Sequence, residues 1–272
     1  MRNGRTAMQA RYDPLLTRPV RRGLLVTAVA AFAFLYLPIA VLVVFSFSDS
    51  PLLVFPIDSV GLAWYRALFA DSDLWRSVGN SLIVAGTVVP LTLILGVPLA
   101  FGLDRVNFPG KRLLEHGILL PLVVPGIVTG LALLLLLSRF DTRLSLFTVA
   151  IGHSVWCLPI VVTQVYARLR RFDRSIEEAS LDLGAGPATT FWRVTLPNLK
   201  SALLGSALLV FVLSFDEIPV TFFLTGSENT LPMHIWSMLR EGVNPVINAI
   251  ATLTIALSIL VAFLGLRLLS RD

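Results

Sequence analysis

The chain has a single cysteine, Cys157, in 272 residues. That excludes an internal disulfide and a thiol-rich metal cage. Histidine is almost as scarce. His116, His153 and His234 lie far apart, with no Cys/His spacing that suggests a metal site. Charge is thin as well: 14% of residues are charged and 56% are hydrophobic, where a soluble domain carries about 25% charged residues. With a mean hydropathy of +0.81, the composition excludes an ordinary water-soluble domain. Also missing is the phosphate loop G-x-x-x-x-G-K-[ST]: Gly110-Lys111 is followed by Arg112 and lacks the earlier glycine. There is no Gly-x-Ser-x-Gly elbow and no pair of aspartates placed on separate apolar runs, which argues against an intramembrane enzyme.

Long apolar runs fill the rest. They cover 24–47, 77–103, 117–138, 144–167, 201–226 and 242–266. A helix of 22 residues, the length of the shortest run, reaches about 33 Å and crosses a hydrocarbon core of about 30 Å. Backbone polar groups find no water in lipid, so each run is expected to be helical, and none shows the alternation of a barrel strand. The first run is too long for a signal-peptide core and is read as a retained span. The expected fold class is an all-α integral membrane protein with six transmembrane helices.

Orientation follows from the basic residues. Seventeen Lys and Arg fall in segments 1–23, 104–116, 168–200 and the tail, against five in the alternate segments. This asymmetry places both termini, and the loop 168–200, in the cytoplasm. The net charge of +5 is thus a topology signal and not a nucleic-acid footprint. The expected organisation is a basic cytoplasmic segment 1–23, a first span 24–47, a periplasmic loop 48–76, a five-helix unit 77–267 containing the polar loop, and a tail 268–272. The outer loop 48–76 carries Asp49, Asp58, Asp71 and Asp73 against Arg66 and Arg76, with Trp64, Tyr65 and Trp75 suited to an interface.

Two polar stretches stand out. In the loop 168–200, Ile176, Ala179, Ser180 and Leu183 share one helical face. Gly184 stands where a helix end favours positive φ, and Pro187 suits the first turn of a second helix. Phe191 and Trp192 are bulky contacts on that helix, and Pro197 marks a break. The second stretch is Asp216-Glu217 inside the fifth run, followed by Pro219. Carboxylates in a span are costly and mark pathways. Asp216 lies about 22 Å along a straight helix from Ser201. Neighbouring positions point about 100° apart, so the two carboxylates are not expected to face one path together. Asp216 is the stronger candidate for a cation path. Glu217 is a candidate for that path, or for pairing with an arginine or capping a broken helix. Trp156, with His153 and Pro159, is a weaker candidate for lining the same cavity. Gly126 and Gly130 suit close helix packing, Pro121 and Pro125 a kink.

The order Glu178-Ala179-Ser180, three residues, Gly184, nine residues, Val194, one residue, Leu196-Pro197 resembles the "EAA" motif of type I, binding-protein-dependent ABC importer permeases. Ser180 stands for alanine and Val194 for isoleucine in that pattern. YLPIAVLVVFSFS (36–48), WYRALF (64–69), NSLIVAG (80–86), PLVVPGIVTGLALLLL (121–136) and LPMHIWSMLREGVNPVINAIATL (231–253) are similar to the second permease subunit of spermidine/putrescine importers. The resemblance runs from about residue 24 to the end. It implies the type I ABC importer permease fold. Its implied partners are a second, heterologous permease subunit, two ATP-binding cassette subunits, a periplasmic or lipid-anchored substrate-binding protein, and membrane lipid. It implies no nucleic-acid partner. The implied location is the bacterial inner membrane. Glu178, Ala179, Ser180, Gly184, Val194, Leu196 and Pro197 would form the contact with the ATPase. The chain itself would be non-catalytic, with no cofactor and no metal of its own, ATP and Mg being used by the partner. Polyamine is the expected substrate. A betaine, opine or aminobutyrate, or a stand-alone secondary transporter, are the competing readings.

Overall fold

A computed structural model describes residues 18–51, 54–57, 59–242 and 244–269. Most of segment 1–23, together with Asp58 and the last residues of the tail, lies outside the described residues. The elements are helical, in the order α1 Arg18–Ser46, α2 Ala63–Ala70, α3 Ser72–Arg105, α4 Lys111–Gly117, α5 Leu120–Val123, α6 Gly126–Ser138 and α7 Leu146–Leu169. There follow α8 Ser175–Asp182, α9 Pro187–Thr190, a π-helical turn Phe191–Thr195, α10 Leu196–Asn198, α11 Lys200–Phe215, α12 Pro219–Leu224, α13 Leu231–Glu241 and α14 Val246–Leu269. Among the described residues the only β-type pairing is the isolated bridge Ser48–Val60.

Three helices are each long and apolar enough to cross a membrane: Pro19–Ser46, Ser72–Arg105 and Leu146–Leu169. Two further candidates are bent pairs, Lys111–Val123 with Gly126–Ser138 at 105°, and Pro187–Asn198 with Lys200–Phe215 at 65°. The apolar run 117–138 is therefore not one kinked rod but a broken one. Pro121 sits in the first turn of α5, where its missing N–H is tolerated, and Pro125 caps α6, with Val124 before it driven into extended conformation. The run 201–226 breaks too. It stops at Phe215 and restarts at Pro219, whose ring has no N–H to continue the ladder.

The chain forms two compact units. In the first, residues 1–70 and 243–272, α14 packs on α1 and α2. The expected interface aromatics partly serve the fold here: the Trp64 indole N–H donates to the Ser48 carbonyl, and the Tyr65 hydroxyl lies 2.8 Å from Ser46 Oγ.

The second unit, residues 71–242, has its core where α3, α7 and α11 meet. Val84, Val88, Val149, Val161, Val165 and Val210 are fully buried there. Polar side chains on α3 are used to fix the distal loop. Asn80 Nδ2 donates to the Asn229 carbonyl, and Ser81 Oγ accepts from the Leu231 amide. Against this core α6 and α12 lie side by side. A Cβ on Gly130 would stand 2.9 Å from Phe223 Cδ2, 3.1 Å from Val220 Cα and 3.2 Å from the Pro219 carbonyl oxygen. Gly126 would bring its Cβ to 3.0 Å from Pro219 Cβ. The expected close packing at these two glycines is thus present, with α12 as the neighbour. Gly130→Leu is expected to destabilise the assembly by about 1–3 kcal/mol, the usual range for overpacking. A thermal melt of the purified complex reads this, and an unchanged midpoint would count against the tight contact.

Candidate functional site

The polar loop 168–200 is a compact knob. Asp173 accepts from the backbone and hydroxyl of Ser175, which holds its carboxyl below the usual range and starts α8. Gly184 closes α8 at φ +88°, a conformation that a residue with Cβ enters only at a cost. Pro187 then opens α9 in its first turn. Ser180 Oγ and Thr190 Oγ1 stand 3.0 Å apart and join the two helices. Phe191 packs edge-on against Phe101 of α3, their centroids 5.4 Å apart. The turn after α9 is wider than an α-helix, a detail that no spacing in the sequence announced.

The motif residues do not share one environment. Glu178, Ala179, Gly184 and Pro197 are exposed, while Ser180, Val194 and Leu196 are half-buried. The apolar face expected on α8 is uncovered within this chain: Ile176 is exposed and Leu183 is 88% exposed. Trp192, at 65%, is equally bare. The preceding residue, Glu177, turns the other way. Its carboxylate meets Arg105 Nη2 at 2.8 Å and accepts from the Thr195 hydroxyl. Sequence reasoning passed over Glu177 and its partner because they are 72 positions apart.

The second site is the break between α11 and α12. Glu217 is buried, and its carboxylate accepts from the amides of Val220 at 2.9 and 3.0 Å and Thr221 at 3.0 Å. It therefore caps α12, taking two amide donors that a helix start leaves without partners. From α7, His153 reaches across the break. Its Nδ1 lies 2.8 Å from Ser214 Oγ on α11, and its Nε2 lies 2.8 Å from Thr221 Oγ1 and 3.3 Å from Glu217 Oε2. One buried imidazole thus ties α7, α11 and α12 together. Of the roles expected for Glu217, these contacts are those of a cap on a broken helix, while its side chain also borders the cavity described next.

Asp216 differs. It ends α11 and is exposed. With Trp156, Gly126, Val212, Leu213, Glu217, Ile218 and Pro219 it lines a cavity of about 320 Å³. The three residues expected on a substrate path are therefore brought to one cavity, with Asp216 contributing the exposed carboxylate. Trp236 and Arg240 line an adjoining, more apolar cavity of about 470 Å³ with Ile127, Phe222 and Phe223, and Ile218 and Pro219 border both. Among the described residues no cluster of His, Cys, Asp or Glu has the makings of a metal site.

Comparison with known proteins fits this geometry. The chain is 36% identical over 266 residues to the putrescine transport system permease protein PotI of Escherichia coli K12, covering 95% of this chain and 93% of that one. It is 35% identical over 254 residues to the spermidine/putrescine transport system permease protein PotC of the same strain, covering 92% and 94%. In fold it is similar to a chain of a bacterial ABC transporter involved in import of the acidic polysaccharide alginate, with a TM-score of 0.68 at 19% identity over 95% of this chain and 99% of that one. A chain of the MetNI methionine ABC transporter in an inward-facing conformation matches with a TM-score of 0.58 at 18% identity, over 73% and 94%. Residues 92–272 match the profile of one family over most of the chain, and on that match the chain belongs to the binding-protein-dependent transport system inner membrane components.

Proposed function

We propose that this chain is the membrane-spanning permease subunit of an ATP-driven importer of polyamines. The observation that carries the substrate is the cavity holding the exposed Asp216 beside Trp156. A polyamine is a flexible chain of ammonium groups. A carboxylate and an indole face are the two side-chain types that attract such a cation inside a membrane protein. PotI and PotC, whose names specify putrescine and spermidine, support the same choice.

The chain has six spans in this reading, with α14 as the last and both termini in the cytoplasm. The seventeen-to-five distribution of basic residues supports that orientation. A second permease subunit completes the pathway, a binding protein delivers substrate from outside, and two ATPase subunits hydrolyse MgATP. The α8 knob docks on an ATPase. Glu178 offers a charge to it, Ala179 permits close approach, and exposed Leu183 and Trp192 supply apolar contact. The bareness of that face within the chain supports the docking.

The test is uptake of labelled putrescine and spermidine into proteoliposomes carrying the full assembly, with the binding protein outside and ATP inside. Accumulation that needs ATP and is competed by unlabelled polyamine is the expected result. Stimulated ATP hydrolysis without polyamine accumulation would keep the importer and replace the substrate with another small organic solute. Uptake driven by a proton gradient after ATP depletion would overturn the reading in favour of a secondary transporter.

A further inference from the structure

The α8 knob is fastened to the rest of the chain by a continuous run of charges that its motif does not include. Arg174, at the start of α8, places Nη2 2.8 Å from Asp104 Oδ2. The same Asp104 oxygen lies 3.3 Å from Arg105 Nε. Arg105 Nη2 in turn stands 2.8 Å from Glu177 Oε2, one helical turn along α8 from Arg174. Glu177 also accepts from Thr195 in the π-helical turn. The run thus joins the end of α3, the first turn of α8 and the segment leading into α11.

Burial separates this run from an ordinary surface ion pair. The Asp104 side chain at its centre has no exposed surface, and those of Glu177, Arg105 and Arg174 are 15%, 28% and 49% exposed. Exposed pairs contribute little and are readily screened, whereas a shielded carboxylate shared by two arginines is strongly directional. Position matters as much. α3 is a single helix of 34 residues from Ser72 to Arg105. Along its length it packs on α7 and α11, the helices that carry His153, Trp156 and Asp216. Glu178, the neighbour of Glu177, faces outward. α8 is therefore gripped on one side by its own chain and presents the other side free.

We propose that Asp104, Arg105, Arg174 and Glu177 form a strut that transmits displacement of α8 to α3, and through α3 to the helices around the Asp216 cavity. These are positioning residues and touch neither substrate nor nucleotide. The proposal rests on the importer reading above and adds the route by which hydrolysis is converted into transport.

A strut predicts a specific failure: hydrolysis continues while transport falls. In proteoliposomes holding the full assembly, binding-protein-stimulated ATP hydrolysis and polyamine uptake are measured side by side for Glu177→Gln, Arg105→Gln and the double variant. Each single variant is expected to lower uptake per ATP hydrolysed at least fivefold, with hydrolysis within about twofold of the unaltered assembly. The double variant is expected to be no worse than the poorer single one, because residues acting as one unit are not additive. Asp104→Asn, at the buried centre, is expected to give the same uncoupling, and the rim variants keep the test valid if it fails to assemble. An unchanged ratio of uptake to hydrolysis overturns the strut and leaves the importer standing, whether both rates are normal or both fall together. Uptake by the unaltered assembly that persists on a proton gradient after ATP depletion would overturn the importer reading, and the strut with it.

Discussion

Asp216→Asn is expected to raise the apparent KM for polyamine uptake by roughly tenfold or more while leaving the thermal stability of the assembly unchanged. A hydrogen bond to a charged group contributes about 1.5–3 kcal/mol, and each 1.4 kcal/mol is about tenfold in affinity. Asp216 is exposed to the cavity and ends its helix without capping another, so the change removes charge and little structure. Trp156 sets the scale for comparison. A cation held over its indole gains about 0.5–2 kcal/mol, so the carboxylate outweighs the ring. Asp216→Glu, which keeps the charge on a longer arm, is expected to recover most of the affinity. Uptake kinetics with and without the substitution decide the matter. Equal KM values at equal expression would remove Asp216 from the path.

Glu217→Ala is expected to fail in the opposite way, with a large loss of stability. The substitution strips the acceptor from the Val220 and Thr221 amides and from the contact with His153 in one step. Each buried donor left without a partner costs about 1–3 kcal/mol. A lower melting midpoint and a lower yield of assembled complex are the readouts. Glu217→Gln keeps one acceptor oxygen and is expected to fall between. The two adjacent carboxylates are thus separable by measurement: one moves KM, the other moves the melt. A Glu217→Ala complex with an unchanged midpoint and a raised KM would place Glu217 on the path and refute the capping role.

The same division recurs in the polar loop, and it shows what a sequence discloses. Glu177 and Glu178 are chemically alike and adjacent, as Asp216 and Glu217 nearly are. In each pair one carboxylate is spent inside the fold and the other is left free. Which is which depends on partners far along the chain: Arg105 for Glu177, His153 for Glu217. No local pattern encodes that choice. Local backbone chemistry was legible, by contrast. Gly184 has the positive φ, and Pro187 the first-turn position, that their types demand. The apolar runs were legible as helices because lipid permits little else. Their breaks at Pro125 and at Phe215–Pro219 were only half-legible. Prolines announced a disturbance, but an apolar residue scores alike in a straight span and a broken one. At the second break a side chain, Glu217, also takes over freed amides.

The glycine contact between α6 and α12 limits how the cavity beside Asp216 can open. Both are short helices, both begin just after a proline-marked break, and they touch almost backbone to backbone at Gly126 and Gly130. Neither can slide past the other without driving Phe223 or Pro219 into that seam. The two are therefore expected to move together. A wall built from two independent helices would have many ways to part. This wall is one packed pair, so a shift of α6 is expected to carry α12, and the cavity edge they share, along with it.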